Sequence, residues 1–238
     1  MKIRAFPYRA AHYFWSILPS SVRGFFYKSP LLKRLKNGSR DLMAKGCDRD
    51  DIYNSVYYDY VDSMAARSAA ALVSMMMDEF APKTAIDVGC GTGVLLLELR
   101  RRGCNPFGLE LSERALEVCR RRGLSVRKLD IERDEFRVDC SYDLVVCMEV
   151  AEHVKSAYAD KLVDLIVSLG SRVVFTAAVP GQGGGVDHVN EQPNGYWIEK
   201  FESRGFLYMN GLTLQRRAQL SEQGVAGFYW ENLMLFSR

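Results

Sequence analysis

Several familiar signals are missing from this chain of 238 residues. Its six cysteines (Cys47, Cys90, Cys104, Cys119, Cys140 and Cys147) contain no C-x-x-C pair and no zinc-finger spacing, so reduced thiols in a cytosolic protein are the simple reading. No stretch reaches the roughly 18 consecutive apolar residues of a membrane span. Tyr13 to Leu18 is too short for a signal-peptide core, is interrupted by Ser16, and has no clean small-residue cleavage pattern after it. Repeats are absent, and the one low-complexity tract is the glycine cluster Gly181 to Gly185. Histidine is scarce: His12, His153 and His188 are all there is. These absences exclude disulfide scaffolds, membrane spans and repeat architectures, and they predict a cytoplasmic protein.

The composition, 48% hydrophobic and 26% charged, is that of an ordinary globular protein, and the length fits one α/β domain plus an extension. A net charge of +3 hides an asymmetry. Residues 1–46 hold ten Lys or Arg against the single acid Asp41, a local +9 that leaves about −6 for the remainder. The same segment carries Phe6, Tyr8, Tyr13, Phe14, Trp15, Phe25, Phe26 and Tyr27. Basic residues interleaved with aromatics suit an anionic membrane surface or a nucleic acid backbone, and equally an arm that packs on the main domain. The expected division is a basic aromatic arm over residues 1–46 and a second domain over residues 47–238.

The most informative stretch is Asp87-Val88-Gly89-Cys90-Gly91-Thr92-Gly93. An apolar run, Thr84 to Val88, meets three glycines at alternate positions, and a leucine-rich helical pattern follows over Val94 to Arg102. Strand, tight turn and helix are predicted, with bare backbone where a ligand approaches. The spacing G-x-G-x-G differs from the G-x-G-x-x-G of dinucleotide folds. A second strand over Asn105 to Leu109 ends at Glu110, a carboxylate placed to accept hydrogen bonds from both hydroxyls of a ribose. Further strands are expected over Ser125 to Leu129, Tyr142 to Met148 and Arg172 to Ala177. Ser112 caps the helix that Gly123 stops, and Ala157 to Leu169 and Tyr196 to Arg204 are helical. Asp50 to Phe80 reads as two helices, with Met75, Met76 and Met77 as core packing. Phe206 to Leu214 and Phe228 to Phe236 read as a terminal hairpin-like antiparallel pair at the sheet edge. Such alternation predicts an α/β fold: a doubly wound, mostly parallel sheet of seven strands, Rossmann-like, behind an N-terminal helical extension.

The loop, the second strand and its acid together resemble the class I S-adenosylmethionine (SAM) dependent methyltransferases. The resemblance implies SAM as cofactor, with Gly89, Cys90, Gly91 and Gly93 against its methionine end and Asp87 taking its ammonium. It places Glu110 on the ribose and Leu111 beside the adenine. Asp130 would receive the adenine amino group, Ile131 would touch the ring, and Cys147 and Met148 would line the sulfonium side. An Asp after a strand is also a common turn cap. SAM presents an electrophilic methyl group, so the protein must align a nucleophile, remove its proton where needed, and exclude water.

A second constellation follows the fourth strand. Glu149, Glu152 and His153 are spaced i, i+3, i+4, one face of a helical turn, and His188 sits in the glycine-rich loop after strand five. Two carboxylates and two imidazoles suit Mg²⁺, Mn²⁺, Fe²⁺ or Zn²⁺. E-x-x-E-H with a distant histidine resembles the ubiquinone-biosynthesis O-methyltransferases and the small-RNA 2′-O-methyltransferases, which implies a divalent ion binding acceptor hydroxyls. His153 as a metal-free base is the competing assignment. The segment Gly183 to Trp197 suits a mobile lid. The expected activity is O-methylation of a small-molecule, sugar-containing or lipid-like acceptor, with His153, Glu152 and His188 carrying the chemistry. RNA 2′-O-methylation and a non-catalytic SAM-binding scaffold are the alternatives.

Overall fold

A computed structural model of the chain describes residues 55–136, 141–182 and 187–238, with side chains from residue 66 onward. The arm over residues 1–46, the start of the expected helix at Asp50, and the glycines 183–185 lie outside the described residues. Residues 55–180 and 189–238 belong to one compact unit; His188 belongs to the separate segment 181–188.

The compact unit begins with α1 (Ser55–Phe80), a single helix where the sequence reading divides the region in two. No glycine or proline falls within it, and alanine and methionine, both good helix formers, fill its second half. Then follow β1 (Thr84–Val88), α2 (Val94–Arg101), β2 (Asn105–Glu110), α3 (Glu113–Arg121), β3 (Val126–Lys128), β4 (Leu144–Met148), α4 (Ala159–Leu169), β5 (Arg172–Thr176) and α5 (Asn194–Glu202). The chain ends with β6 (Leu207–Tyr208), α6 (Asn210–Glu222), α7 (Gly227–Glu231) and β7 (Met234–Ser237).

The seven strands form one sheet in the order β3-β2-β1-β4-β5-β7-β6. β1 runs parallel to both β2 and β4, with Ile86 opposite Phe107 on one side and Val145 on the other. The winding reverses between β1 and β4, which opens a crevice at the carboxyl ends of those strands. The last two strands are antiparallel, as expected, but they do not form a hairpin. Two helices, α6 and α7, are inserted between them. The aromatic run Phe228-Tyr229-Trp230 has strand-like composition, yet it coils because its rings settle into the apolar layer that also holds Leu72, Val73 and Met76 of α1.

Both faces of the central strands are covered, and β4 reads as a continuous apolar run. On one face Ile86, Val145, Cys147, Val173 and Phe175 meet Leu162 and Ile166 of α4 and Trp197 and Phe201 of α5. Phe175 lies 5.4 Å from Trp197 between ring centroids, and Phe201 stacks on Phe236 at 4.2 Å. On the other face Ala85, Leu144, Val146, Val174 and Leu235 meet α1, where Met75 and Met76 are buried as core residues. No helix among the described residues is long and apolar enough to cross a membrane.

Candidate functional site

The glycine loop between β1 and α2 is built by two different needs. Gly89, Gly91 and Gly93 all have positive φ (81°, 53° and 82°), a region that L side chains rarely occupy. A Cβ on Gly89 would strike Val150 at 2.3 Å and one on Gly93 would strike Leu124 at 2.4 Å, so those two glycines serve internal packing. Gly91 differs: nothing lies within 4 Å of where its Cβ would be. The space above the Gly91 backbone is open.

Gly91 is held from both sides. Its N–H donates to Glu110 Oε2 at 2.9 Å, and its carbonyl accepts from the Cys119 thiol at 3.3 Å. Glu110 Oε1 accepts from the Ser112 N–H at 2.8 Å, while the Ser112 hydroxyl caps α3 through Ala115. The acid at the end of β2 is thus fixed by two backbone donors, with further lone pairs for hydroxyls. Burial still pushes the Glu110 carboxyl up, against the pull of those N–H groups. Asp87 is 3% exposed, and burial, then the nearby charge of Glu110, raise its pKa to about 7. A cationic group arriving there would reverse that shift.

Asp130 follows β3 and does a structural job. Its Oδ1 accepts from the Glu132 N–H at 3.0 Å, and its own N–H donates to Asp134 at 2.9 Å. It caps the turn, as an Asp at that position commonly does. Ile131 is half-buried against the core, Leu111 is half-buried beside Ser112, and Met148 is buried at the end of β4. Three thiols are poor nucleophiles: hydrogen bonding to Cys119 and burial push Cys90 far up, burial raises Cys104 to about 11, and burial raises Cys147.

Beyond β4 the geometry departs from the one-face helical turn. Glu149 stands before the turn with φ 57°, left-handed, and only Ala151–His153 form a single turn of 3₁₀ helix. The Glu149 N–H donates to both the carbonyl (3.2 Å) and the hydroxyl (3.0 Å) of Thr176 at the end of β5. Glu152 is wholly buried, and neither of its carboxylate oxygens has a hydrogen-bond partner. Glu149 Oε1 is equally orphaned. Burial first, and the neighbouring Glu149 charge second, drive the Glu152 carboxyl well above the ordinary range. Burial raises Glu149 to about 7. A Glu152 carboxylate oxygen and a His153 ring nitrogen lie within 4.8 Å of each other.

The backbone after His188 is tied to this turn. Val189 and Asn190 N–H groups both donate to the Glu152 carbonyl, at 2.9 and 3.0 Å. Sequence reasoning missed Thr176 and Asn232, which hydrogen-bond the Glu149 carboxyl. A threonine ending the apolar run Arg-Val-Val-Phe could have drawn attention to the first; nothing near Asn232 marked the second.

A family model described as a methyltransferase domain matches residues 85–169. Over this segment, from β1 to the end of α4, the chain is similar to methyltransferases. Among curated proteins, the ubiquinone biosynthesis O-methyltransferase of Nitrosomonas europaea is 39% identical over 83 residues, covering 30% of this chain and 33% of that protein. That of Acinetobacter baylyi is 34% identical over 104 residues, covering 40% and 44%. The chain therefore spans less than half the length of these relatives. Among solved structures, the plantazolicin methyltransferase in complex with SAH superposes with a TM-score of 0.55 at 15% identity, over 86% of this chain and 95% of that one. Magnesium protoporphyrin IX methyltransferase from Synechocystis gives a TM-score of 0.51 at 16% identity, over 79% and 90%. At these identities the likeness establishes the methyltransferase fold.

Proposed function

We propose that the protein transfers the methyl group of SAM to a hydroxyl of a small-molecule, sugar-containing or lipid-like acceptor, with help from a divalent cation. The observation that carries the reading is the pair of acids beyond β4, where Glu152 is wholly buried and three carboxylate oxygens of Glu149 and Glu152 are orphaned. Leaving an ionised carboxylate buried and unpaired costs several kcal/mol, so such a group either holds a proton or awaits a positive partner. Carboxylate and imidazole donors fit Mg²⁺, Mn²⁺, Fe²⁺ or Zn²⁺. Glu149, Glu152 and His153 would hold the ion, and His188, one residue before the tied Val189, would complete the set. When bound, it would lower the pKa of an acceptor hydroxyl and orient it.

The cofactor side supports the same reading. Gly91 leaves room against the backbone, Glu110 offers lone pairs to a ribose, and Asp87 offers a buried acid to the SAM ammonium. Leu111 and Ile131 would flank the adenine, Met148 would line the sulfonium side, and the second oxygen of Asp130 would meet the adenine amino group. Val189 and Asn190 are fastened to the Glu152 backbone carbonyl, which ties the segment after His188 to the same turn. The name of the curated relatives, ubiquinone biosynthesis O-methyltransferase, supports oxygen as the atom methylated.

Residues 1–46 enter as a separate arm whose charge suits an anionic membrane surface. Liposome and RNA pull-downs of the chain with and without that arm separate a lipid from a nucleic acid partner. The main test is a methyl-transfer screen with labelled SAM against fractionated cell extract, with and without EDTA. Transfer to a small-molecule fraction that EDTA abolishes and Mn²⁺ restores is the expected result. Full transfer in chelator would remove the metal and leave His153 as the base, and label in RNA alone would replace the acceptor.

A further inference from the structure

The insertion between β6 and β7 reaches the site from the far end of the chain. β7 pairs antiparallel with β5, Met234 lying opposite Phe175, so the residues just before Met234 pass the carboxyl end of β5, where Thr176 holds the Glu149 backbone. Asn232 stands there, closing α7, and is 2% exposed. Its side chain donates to the Glu149 carboxyl. Glu149 needs such help, because its φ of 57° is one that a residue with a Cβ adopts only when its surroundings hold it.

Asn232 is itself anchored. Arg217 of α6 aims Nε and Nη2 at one acceptor, the carbonyl of the next residue, Leu233, at 2.9 and 2.7 Å. α6 is in turn fastened to β7 by the Leu235 N–H, which donates to the Thr213 hydroxyl at 3.2 Å. A guanidinium spending two donors on one backbone carbonyl fixes that peptide, one residue beyond Asn232.

We propose that Asn232 is a positioning residue for the acceptor-side site: held by Arg217, its amide aims the Glu149 carboxyl toward Glu152 and the place where the acceptor hydroxyl binds. This rests on Glu149 belonging to that site, as argued above. The inserted helices α6 and α7 are then the device that delivers the amide, which a plain hairpin between β6 and β7 would lack. Groups that orient the ligating or reacting side chains commonly matter about 10- to 100-fold.

The deciding experiment is a pair of crystal structures, the full chain and Asn232→Leu, with SAM and Mn²⁺ titrations by calorimetry on both. The Asn232 amide should lie within hydrogen-bond distance of the Glu149 carboxyl in the first, and the carboxyl should swing away in the second. Mn²⁺ affinity should fall about 10- to 100-fold while SAM affinity stays within about 2-fold. Asn232→Asp, which keeps the shape but presents an acceptor, should displace Glu149 as well, whereas loss of bulk alone would not predict it. A Glu149 carboxyl unmoved in Asn232→Leu overturns the proposal. Should that variant not fold, Arg217→Met must displace Glu149 in the same sense, and an unmoved carboxyl there overturns it too. If the full chain binds no Mn²⁺, the cation in the proposed function fails while the two structures still decide the role of Asn232. Full methyl transfer by Glu149→Gln would remove the underlying site.

Discussion

Two acids stand at the carboxyl edge of the same sheet and meet opposite fates. Glu110, at the end of β2, is gripped by the N–H groups of Gly91 and Ser112. Glu152, just past β4, is more deeply buried and neither oxygen is satisfied. The half proposed here for the cofactor is thus assembled by the protein itself, its acid oriented in advance by backbone. The half proposed for the acceptor is left electrostatically incomplete. Preorganisation of the first kind suits a cofactor of fixed shape; the second suits a site whose missing charge arrives with its ligands.

The sharpest way to break the comparison is at Gly91. Arginine there would fill the open space and force a side chain onto φ 53°. Backbone strain of about 1–2 kcal/mol should leave the fold standing. SAM binding should be lost, however, seen as the absence of any SAM-induced rise in melting temperature. Unchanged SAM affinity in Gly91→Arg would remove the cofactor assignment of the whole loop.

Asp87 tests how far the cofactor half is itself unfinished. Its folded pKa of about 7 lies above the ordinary value of 3.8, so the folded chain keeps a proton that the unfolded chain has released. Its stabilising contribution is therefore fully present below about pH 4 and is lost as pH rises to about 7, by at most roughly 4 kcal/mol. Asp87→Asn should flatten that decline in denaturant midpoints measured from pH 4 to 8, and bound SAM should flatten it in the unmodified chain. An identical pH slope in Asp87→Asn would mean that the acid is solvated.

Much of this half could be read from the sequence, for a physical reason. Strands covered on both faces are mostly apolar, and positive φ favours glycine, so β1, the loop and β4 announce themselves. Ser112 and Gly123 likewise mark the limits of α3 because caps are local chemistry. The acceptor half depends on what is far apart in sequence. By spacing alone Glu149 shares a helical face with Glu152, yet its N–H is held by Thr176 and its backbone is left-handed, which no local rule foretells. The inserted α6 carries only Thr213 and Leu220 as buried residues, too weak a stripe to overrule the strand-like flanks. Asp130 shows the converse, an acid in the expected place whose visible work is to cap a turn.

Glu152 supplies the next largest effect. Replacing it with glutamine removes the chance of a buried unpaired charge while keeping the shape. Without ligands at pH 8, Glu152→Gln should be more stable than the unmodified chain by about 1–3 kcal/mol in urea denaturation. The same variant should lose metal-dependent methyl transfer, so stability and activity move in opposite directions. A loss of stability would show that the carboxylate is already satisfied, and the contrast with Glu110 would collapse.

The smallest effect separates backbone from side chain within the cofactor half. The Ser112 N–H holds Glu110, whereas the Ser112 hydroxyl caps α3 through the Ala115 N–H. Ser112→Ala deletes the second bond and keeps the first. It should cost about 1 kcal/mol in denaturant midpoint, the usual worth of a lost N-cap, and leave SAM affinity within about 2-fold. Ser112→Pro deletes the N–H as well as the hydroxyl, so Ser112→Ala is its control for the lost cap, and since Pro fixes φ near −65° against the observed −74°, the backbone can accept it. Glu110 would then keep Gly91 as its one remaining donor of the pair, and SAM affinity should fall while Ser112→Ala does not lower it. Equal SAM affinity in the two variants would show that the ribose acid needs no backbone grip, and that the two halves of the site differ less in preparation than their hydrogen bonds suggest.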